Sequence, residues 1–332
     1  MKKTSGTLLL LLTALIWGTA FVAQRTGMDH LGPIAFQSIR ALLGFLSLLP
    51  LMLLRKRAGK SGPMPTVKAS LSCGAVLAVA STVQQIGLQY TTASKAGFIS
   101  SLYVVLVPLI GLLLGRKPEK GVWIGVPLSV LGMYLIASVS GEGFSLGRGD
   151  WLMLASALLF ACHIVVVGHF APQADGVALS CAQFFVAGLM TLPIAFLTEH
   201  IPLAGIWEAK WALLYAGVLS CGVAYTLQIV GQKDTPPAIA SLTMSLESVF
   251  SAIAGAIILH ETLQPREMLG CALMLAAVMI AQLPIGRQKR PPDQEKDSIE
   301  KTIEQNKRLL SDAGRWLFQY LGIHSEYVTC AD

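Results

Sequence analysis

The chain has 332 residues, 54% of them hydrophobic and 13% charged, with a mean hydropathy of +0.62. Soluble domains carry about 25% charged residues, so this composition excludes a water-soluble protein and points to a membrane protein. The net charge of +6 does not mark a nucleic-acid binder, because the basic residues cluster in short loops between apolar runs.

Ten spans are predicted, at roughly 6–24, 33–54, 68–89, 95–115, 121–139, 150–169, 177–198, 210–230, 238–259 and 267–285. Each approaches the ~20 residues that a helix needs to cross about 30 Å of hydrocarbon. The first follows Lys2 and Lys3 as a signal peptide would. Its apolar stretch is longer than a signal core and has a later counterpart, so it is read as a retained helix. The second span carries Arg40 about two turns in, and the third ends in Gln84, Gln85 and Gln89. The fourth begins at Lys95 and holds Tyr103 and Pro108; the proline removes a backbone donor and is expected to kink the helix. His163 lies in the sixth span, Gln183 in the seventh, and Tyr225 and Gln228 in the eighth.

The ninth span organises the rest. From Ala238 to Leu259 it is apolar or small-hydroxyl except for one carboxylate, Glu247, and His260 and Glu261 follow it. A carboxylate at the centre of such a span costs ~2.5–3.5 kcal/mol, so Glu247 is expected to face protein or water and not lipid.

After residue 286 the character changes. Arg287 to Asp297 is a charged, proline-rich linker, and Ile299, Ile303, Leu310, Ala313, Leu317 and Tyr320 then recur at helical spacing. The tail 287–332 reads as cytoplasmic, either an amphipathic helix on the membrane surface, a disordered extension or a partner-binding helix. Six cysteines form no CxxC pair and show no metal spacing. Gly59-Lys60-Ser61 lacks the spacing of a phosphate loop. Neither a cofactor, a metal nor enzyme chemistry is expected.

Loop charge sets the expected orientation. With the N-terminus inside, the first half places ten Lys and Arg residues on the cytoplasmic side and only Arg25, Lys95 and Arg148 outside. That asymmetry follows the positive-inside rule and puts both termini in the cytoplasm of a plasma membrane protein.

A shift of 143 residues aligns the halves. Thr13 to Val22 falls on Ser156 to Val165, Pro50 meets Pro193, and Gln85, Gln89 and Thr92 meet Gln228, Gln232 and Thr235. With a two-residue insertion Gly125 meets Gly270. Five spans per half is an odd number, so the second repeat is expected to be inverted. The predicted fold is therefore an all-α membrane protein with two inverted five-helix repeats, 1–140 and 149–286, and a cytoplasmic tail. Such repeats are a transporter architecture with the substrate site near the midplane.

The stretches Leu15–Gln24, Tyr90–Leu114, Gly149–Gly168 and Ser245–Leu263 resemble the drug/metabolite transporter superfamily, specifically its ten-helix EamA-type exporters. The resemblance covers about residues 5–286. Two departures are Ser248, where proline often follows the acidic residue, and His260, where glycine usually precedes Glu261. The resemblance implies alternating-access transport of a small solute, commonly export, without fixing the solute.

Glu247 is weighed as a cation or proton site against a structural partner for Arg40. Arg40 is weighed as an anion site against a helix lock, with Gln183 as its repeat mate. His163 is a candidate proton site or a packing residue. Gln84, Gln85, Gln89, Gln183, Gln228, Tyr103, Tyr225 and Trp17 are candidate cavity residues. The function expected is a secondary transporter for an amino acid, related metabolite or drug, monomeric or homodimeric, with a proton as candidate coupling ion. The alternative is a membrane sensor or partner scaffold.

Overall fold

A computed structural model describes residues 2–91, 93–115, 118–137, 147–258 and 265–283, which are helical and contain no strand. Three rods come first: α1 (Lys2–Gly27), α2 (Pro33–Arg57) and α3 (Val67–Leu88). A two-residue interruption separates α4 (Ala93–Ser100) from α5 (Tyr103–Leu113), and α6 (Lys120–Ala137) follows. The rods α7 (Arg148–Phe170) and α8 (Gly176–Thr198) are continuous. After short α9 (Leu203–Glu208) comes one composite crossing: α10 (Lys210–Leu214), a π-helical stretch Tyr215–Ala224 and α11 (Tyr225–Gln232). A second interruption separates α12 (Pro237–Met244) from α13 (Glu247–Ile258), and α14 (Pro265–Gln282) is the last described helix.

Among the described residues eight segments are long and apolar enough to cross a membrane, and Lys120–Leu135 and Pro237–Ile253 are shorter apolar helices. The predicted fifth and ninth spans run into residues outside the described set. His260, Glu261 and the predicted tail helix also lie outside it, as does the side chain of Lys95.

Local chemistry sets the helix ends. Thr66 accepts from the Ala69 amide and starts α3, and Asp175 accepts from Val177 and Ala178 to start α8. Gly59, at φ 65°, ends α2 in the left-handed conformation that lets the Lys60 amide reach back to Arg55 O at 3.0 Å. Large apolar side chains such as Leu54, Leu113, Phe196, Leu197 and Met279 face outward, while Gln37, Gln85, Gln183 and Gln228 are buried inside. That distribution suits a hydrocarbon solvent, which tolerates polar groups only where protein or water meets them.

Helix α2 packs along α8, α6 along α14, and α3 against α7 and α8. The α6–α14 contact is close enough that a Cβ on Gly121, Gly125 or Gly132 would meet the carbonyl of Ile280, Ala277 or Gly270 at 2.6–2.8 Å. Contacts also identify the two ends of the bundle. At one, Arg25 Nη1 donates to Leu88 O and Gln89 O, Thr91 donates to Asp150, and Glu199 accepts from the Ile34 and Ala35 amides that begin α2. At the other, Asp175 accepts from the Gly62 amide and from Arg55 Nη2 at 3.2 Å. Burial opposes the charge on Asp175, but the Gly62 and Ala178 amides and the Arg55 guanidinium outweigh it and hold the carboxyl below its ordinary range.

Candidate functional site

A small cleft with a cavity volume of about 40 Å³ lies inside the bundle. Trp17, Phe21 and Gln24 of α1 form one wall, and Arg40 of α2 and Gln84 of α3 face in toward the Glu199 end. The floor comprises Ser100 and Tyr103 beside the first interruption, Phe160 of α7, Ser220 and Tyr225 of the composite crossing, and Glu247.

The interruption in α12–α13 makes Glu247 the first residue of α13. A carboxylate at a helix N-terminus is favoured by the macrodipole, which offsets part of the cost of burying it. Its Oε1 accepts from Ser101 Oγ at 2.9 Å and from Tyr103 Oη at 3.1 Å. No partner for Oε2 is found among the described residues. Arg40, 4% exposed, donates from Nε to Gln37 Oε1 at 2.6 Å, which leaves its terminal nitrogens for the cavity. Arg40 and Glu247 make no ion pair with each other. One guanidinium and one carboxyl group therefore share a chamber of mixed polar and aromatic lining, each held on one edge.

Of the residues expected from the sequence, Glu247, Arg40, Gln84, Tyr103, Tyr225 and Trp17 meet in this chamber, and Gln89 does not line it. Gln183, Gln85, Gln228 and His163 do not line it. Tyr225 stands between: its ring lies 4.6 Å from Trp17 on the cavity side, 5.2 Å from Phe184 and 6.0 Å from His163. Behind it His163 Nε2 meets Gln183 Oε1 at 3.1 Å. Pro108 is buried in α5, beyond the interruption at 101–102. Sequence reasoning missed Gln24, Gln37, Ser101 and Ser220. The spacing of Gln37, three residues before Arg40 on one helix face, was a usable signal; nothing local marked the others.

A polar chamber inside a lipid-facing helical bundle, with interrupted helices at its floor, defines a multi-pass membrane transporter of small solutes. The model of the EamA-like transporter family matches residues 4–138 and again 147–282, and the chain belongs to that family. An uncharacterized transporter of Archaeoglobus fulgidus is 32% identical over 285 residues, covering 85% of this chain and 87% of its own. The threonine/homoserine exporter RhtA of Escherichia coli is 26% identical over 186 residues, 54% of this chain and 60% of its own. A solved crystal structure superposes with a TM-score of 0.71 at 16% identity, over 84% of this chain and 96% of that one, a likeness of fold.

Proposed function

We propose that the chain is a secondary transporter that exports a small zwitterionic metabolite of the amino-acid kind across the cytoplasmic membrane by alternating access. The observation that carries this is the pairing of Arg40 and Glu247 in one chamber, each with an unoccupied edge. A carboxylate fits the guanidinium, an ammonium fits Glu247 Oε2, and Trp17, Phe160 and Tyr225 form an apolar wall for a side chain. The exporter RhtA, named for threonine and homoserine, is consistent with that chemistry.

The architecture that goes with this reading has ten helices in two inverted repeats, 1–140 and 149–286. Two features support it. The interruptions after Ser100 and after Met244 occupy equivalent places in the two halves. The repeat mates α1 and α7 run in opposite directions, since Arg25 near the end of α1 and Asp150 near the start of α7 both meet the stretch 88–91. Loop charge assigns the Arg55–Asp175 end and both termini to the cytoplasm. Glu247 and His163 are the candidate proton-coupling groups.

The test is thermal stabilisation of the purified protein by amino acids, nucleobases and organic cations, since a ligand of the folded state raises the midpoint. An amino acid is expected to stabilise the wild type and not Glu247→Gln or Arg40→Gln. A hit untouched by both changes removes the site from this chamber. Solute transport that persists after deletion of 287–332 separates this reading from a scaffold acting through its tail.

A further inference from the structure

The segment that joins α2 to α3 carries exposed charge that the chamber does not use. Lys56, Arg57, Lys60 and Lys68 are all exposed at the Arg55–Asp175 end of the bundle. Asp175, the carboxylate that this segment touches, is buried and already bonded to Arg55 Nη2, the Gly62 amide and the first amides of α8. Part of the cluster has a local reason, because cations in the last turn of α2 complement its dipole. Lys68 has no such reason. It is the second residue of α3, whose first turn holds no acid, and there the dipole disfavours a cation.

The segment is also held in one shape. Arg55 Nη2 donates to Lys60 O at 3.2 Å, the Lys60 amide returns to Arg55 O at 3.0 Å, and the Asp175 amide donates to Pro63 O at 2.7 Å. A backbone fixed in advance gives up less entropy when a ligand binds. Apolar side chains lead from the cations into the lipid-facing surface. Leu54 stands one turn before Arg57 on α2, Leu71 stands one turn after Lys68 on α3, and both are exposed, as are Met64 and Val67 between them.

The opposite end supplies the contrast. Moved by the 143-residue register, Lys60, Met64 and Lys68 fall on Leu203, Trp207 and Trp211. These follow Glu199 and are 84%, 70% and 73% exposed. Both segments dock through a glycine, Gly62 against Asp175 and Gly205 against His30 O. Equivalent places thus carry an aromatic belt at one end and ammonium groups at the other. Tryptophan suits the headgroup level of any bilayer, whereas a cation cluster suits a leaflet that contains anionic lipid. We propose that the segment 55–68 binds the headgroups of anionic phospholipids. Their phosphates meet Lys56, Arg57, Lys60 and Lys68, and their acyl chains run along Leu54 and Leu71.

Native mass spectrometry of the full chain in detergent tests this, with phosphatidylglycerol and phosphatidylcholine of identical acyl chains as the titrants. The wild type is expected to retain phosphatidylglycerol in preference. Lys60→Gln/Lys68→Gln is expected to bind phosphatidylglycerol roughly 10- to 30-fold more weakly, with phosphatidylcholine unchanged. Lys56→Gln/Arg57→Gln is a second, independent pair, and the thermal midpoint without lipid checks that each variant is folded. Lys210→Gln/Arg148→Gln removes the same charge at the opposite end and is expected to bind as the wild type does. An equal loss in that control reduces the effect to net charge and overturns the site. Unchanged phosphatidylglycerol binding in both pairs of the segment overturns it as well. Displacement of the lipid by glycerol phosphate at a similar concentration overturns the lipid as ligand and assigns the surface to a soluble anion.

Discussion

In α4–α5 the Ser101 amide reaches Gly97 O, those of Leu102 and Val104 shorten to Ile99 and Ser101, and Leu106 returns to Leu102. In α12–α13 Ser245 reaches Ser241, Leu246 and Ser248 shorten to Thr243 and Ser245, and Phe250 returns to Leu246. The second series is the first moved by 144 residues. One tightened turn, closer to 3₁₀ than to α geometry, interrupts each helix. Pro108 is present in the first and Ala252 stands at the same place in the second, so the proline does not account for the interruption.

What differs is where the hydroxyls go. At α12 they bond back onto their own helix, Ser241 to Ala238, Thr243 to Ile239 and Ser245 to Leu242, and Ser245 alone also meets a hydroxyl across the bundle, Ser129 of α6 at 3.3 Å. In α4 they reach across the bundle, with Ser100 accepting from Gln84 Nε2 at 2.9 Å and Ser101 donating to Glu247. The residue after the break is a donor, Tyr103, on one side and an acceptor, Glu247, on the other, and the two bond to each other. One backbone device serves both halves, and side-chain chemistry makes them unequal.

The sharpest way to break this comparison is Glu247→Gln. Loss of a charged hydrogen bond to the solute ammonium is worth about 1.5–3 kcal/mol, so solute affinity should fall roughly 10- to 100-fold in proteoliposome uptake. Wild-type uptake by this variant would remove the acceptor from the mechanism. The next effect is on packing. A Cβ on Gly18 would lie 2.6 Å from Glu247 O, so Gly18→Val should push α1 off α13 and cost about 1–3 kcal/mol in denaturant unfolding. An unchanged stability would mean that α1 approaches α13 less closely than described.

Tyr103→Phe and Ser101→Ala each remove one donor to Oε1. Each should weaken solute binding by about 0.5–1.5 kcal/mol, with Glu247 still present, as measured by calorimetric titration. Equal binding in both variants would show that the pinned edge does not matter. Outside the membrane, Asp175→Asn should lower the thermal midpoint by an amount corresponding to about 1 kcal/mol. Because the folded carboxyl of Asp175 is more acidic than the unfolded one, its contribution is full above the ordinary carboxylate range and is lost as pH falls through the lowered folded value. The acid limb of midpoint against pH should therefore be shallower in Asp175→Asn, and superimposable limbs would show that the Asp175 carboxylate adds no stability. Smallest of all, Pro108→Ala should change stability by less than ~1 kcal/mol and leave transport intact. Transport abolished by that change would restore the proline as the working kink.

Sequence alone was enough to place the eight membrane-length segments found among the described residues, because twenty apolar residues in a row have few uses other than crossing hydrocarbon. It also singled out Glu247, Arg40, Tyr103, Tyr225 and Trp17, since a charge or an aromatic with a polar tip inside a span must find company. The 143-residue register was legible for the same reason: side-chain pattern survives when it is tied to helix position.

Only the tertiary structure decided which polar residues share a space. Gln84 and Gln85 are adjacent in sequence, yet Gln84 lines the chamber and donates to Ser100, whereas Gln85 is buried with neither amide atom paired among the described residues. One step along a helix turns a side chain by 100°, and which neighbour it meets depends on helices far away in the chain. The interruptions were equally hidden, because a tightened turn costs little locally and is fixed by bonds across the bundle, such as Ser101 to Glu247. The pairing of His163 with Gln183, and of Arg40 with Gln37, likewise came from packing. Composition chose the solvent, residue order carried the repeat, and the approach of helices chose the site.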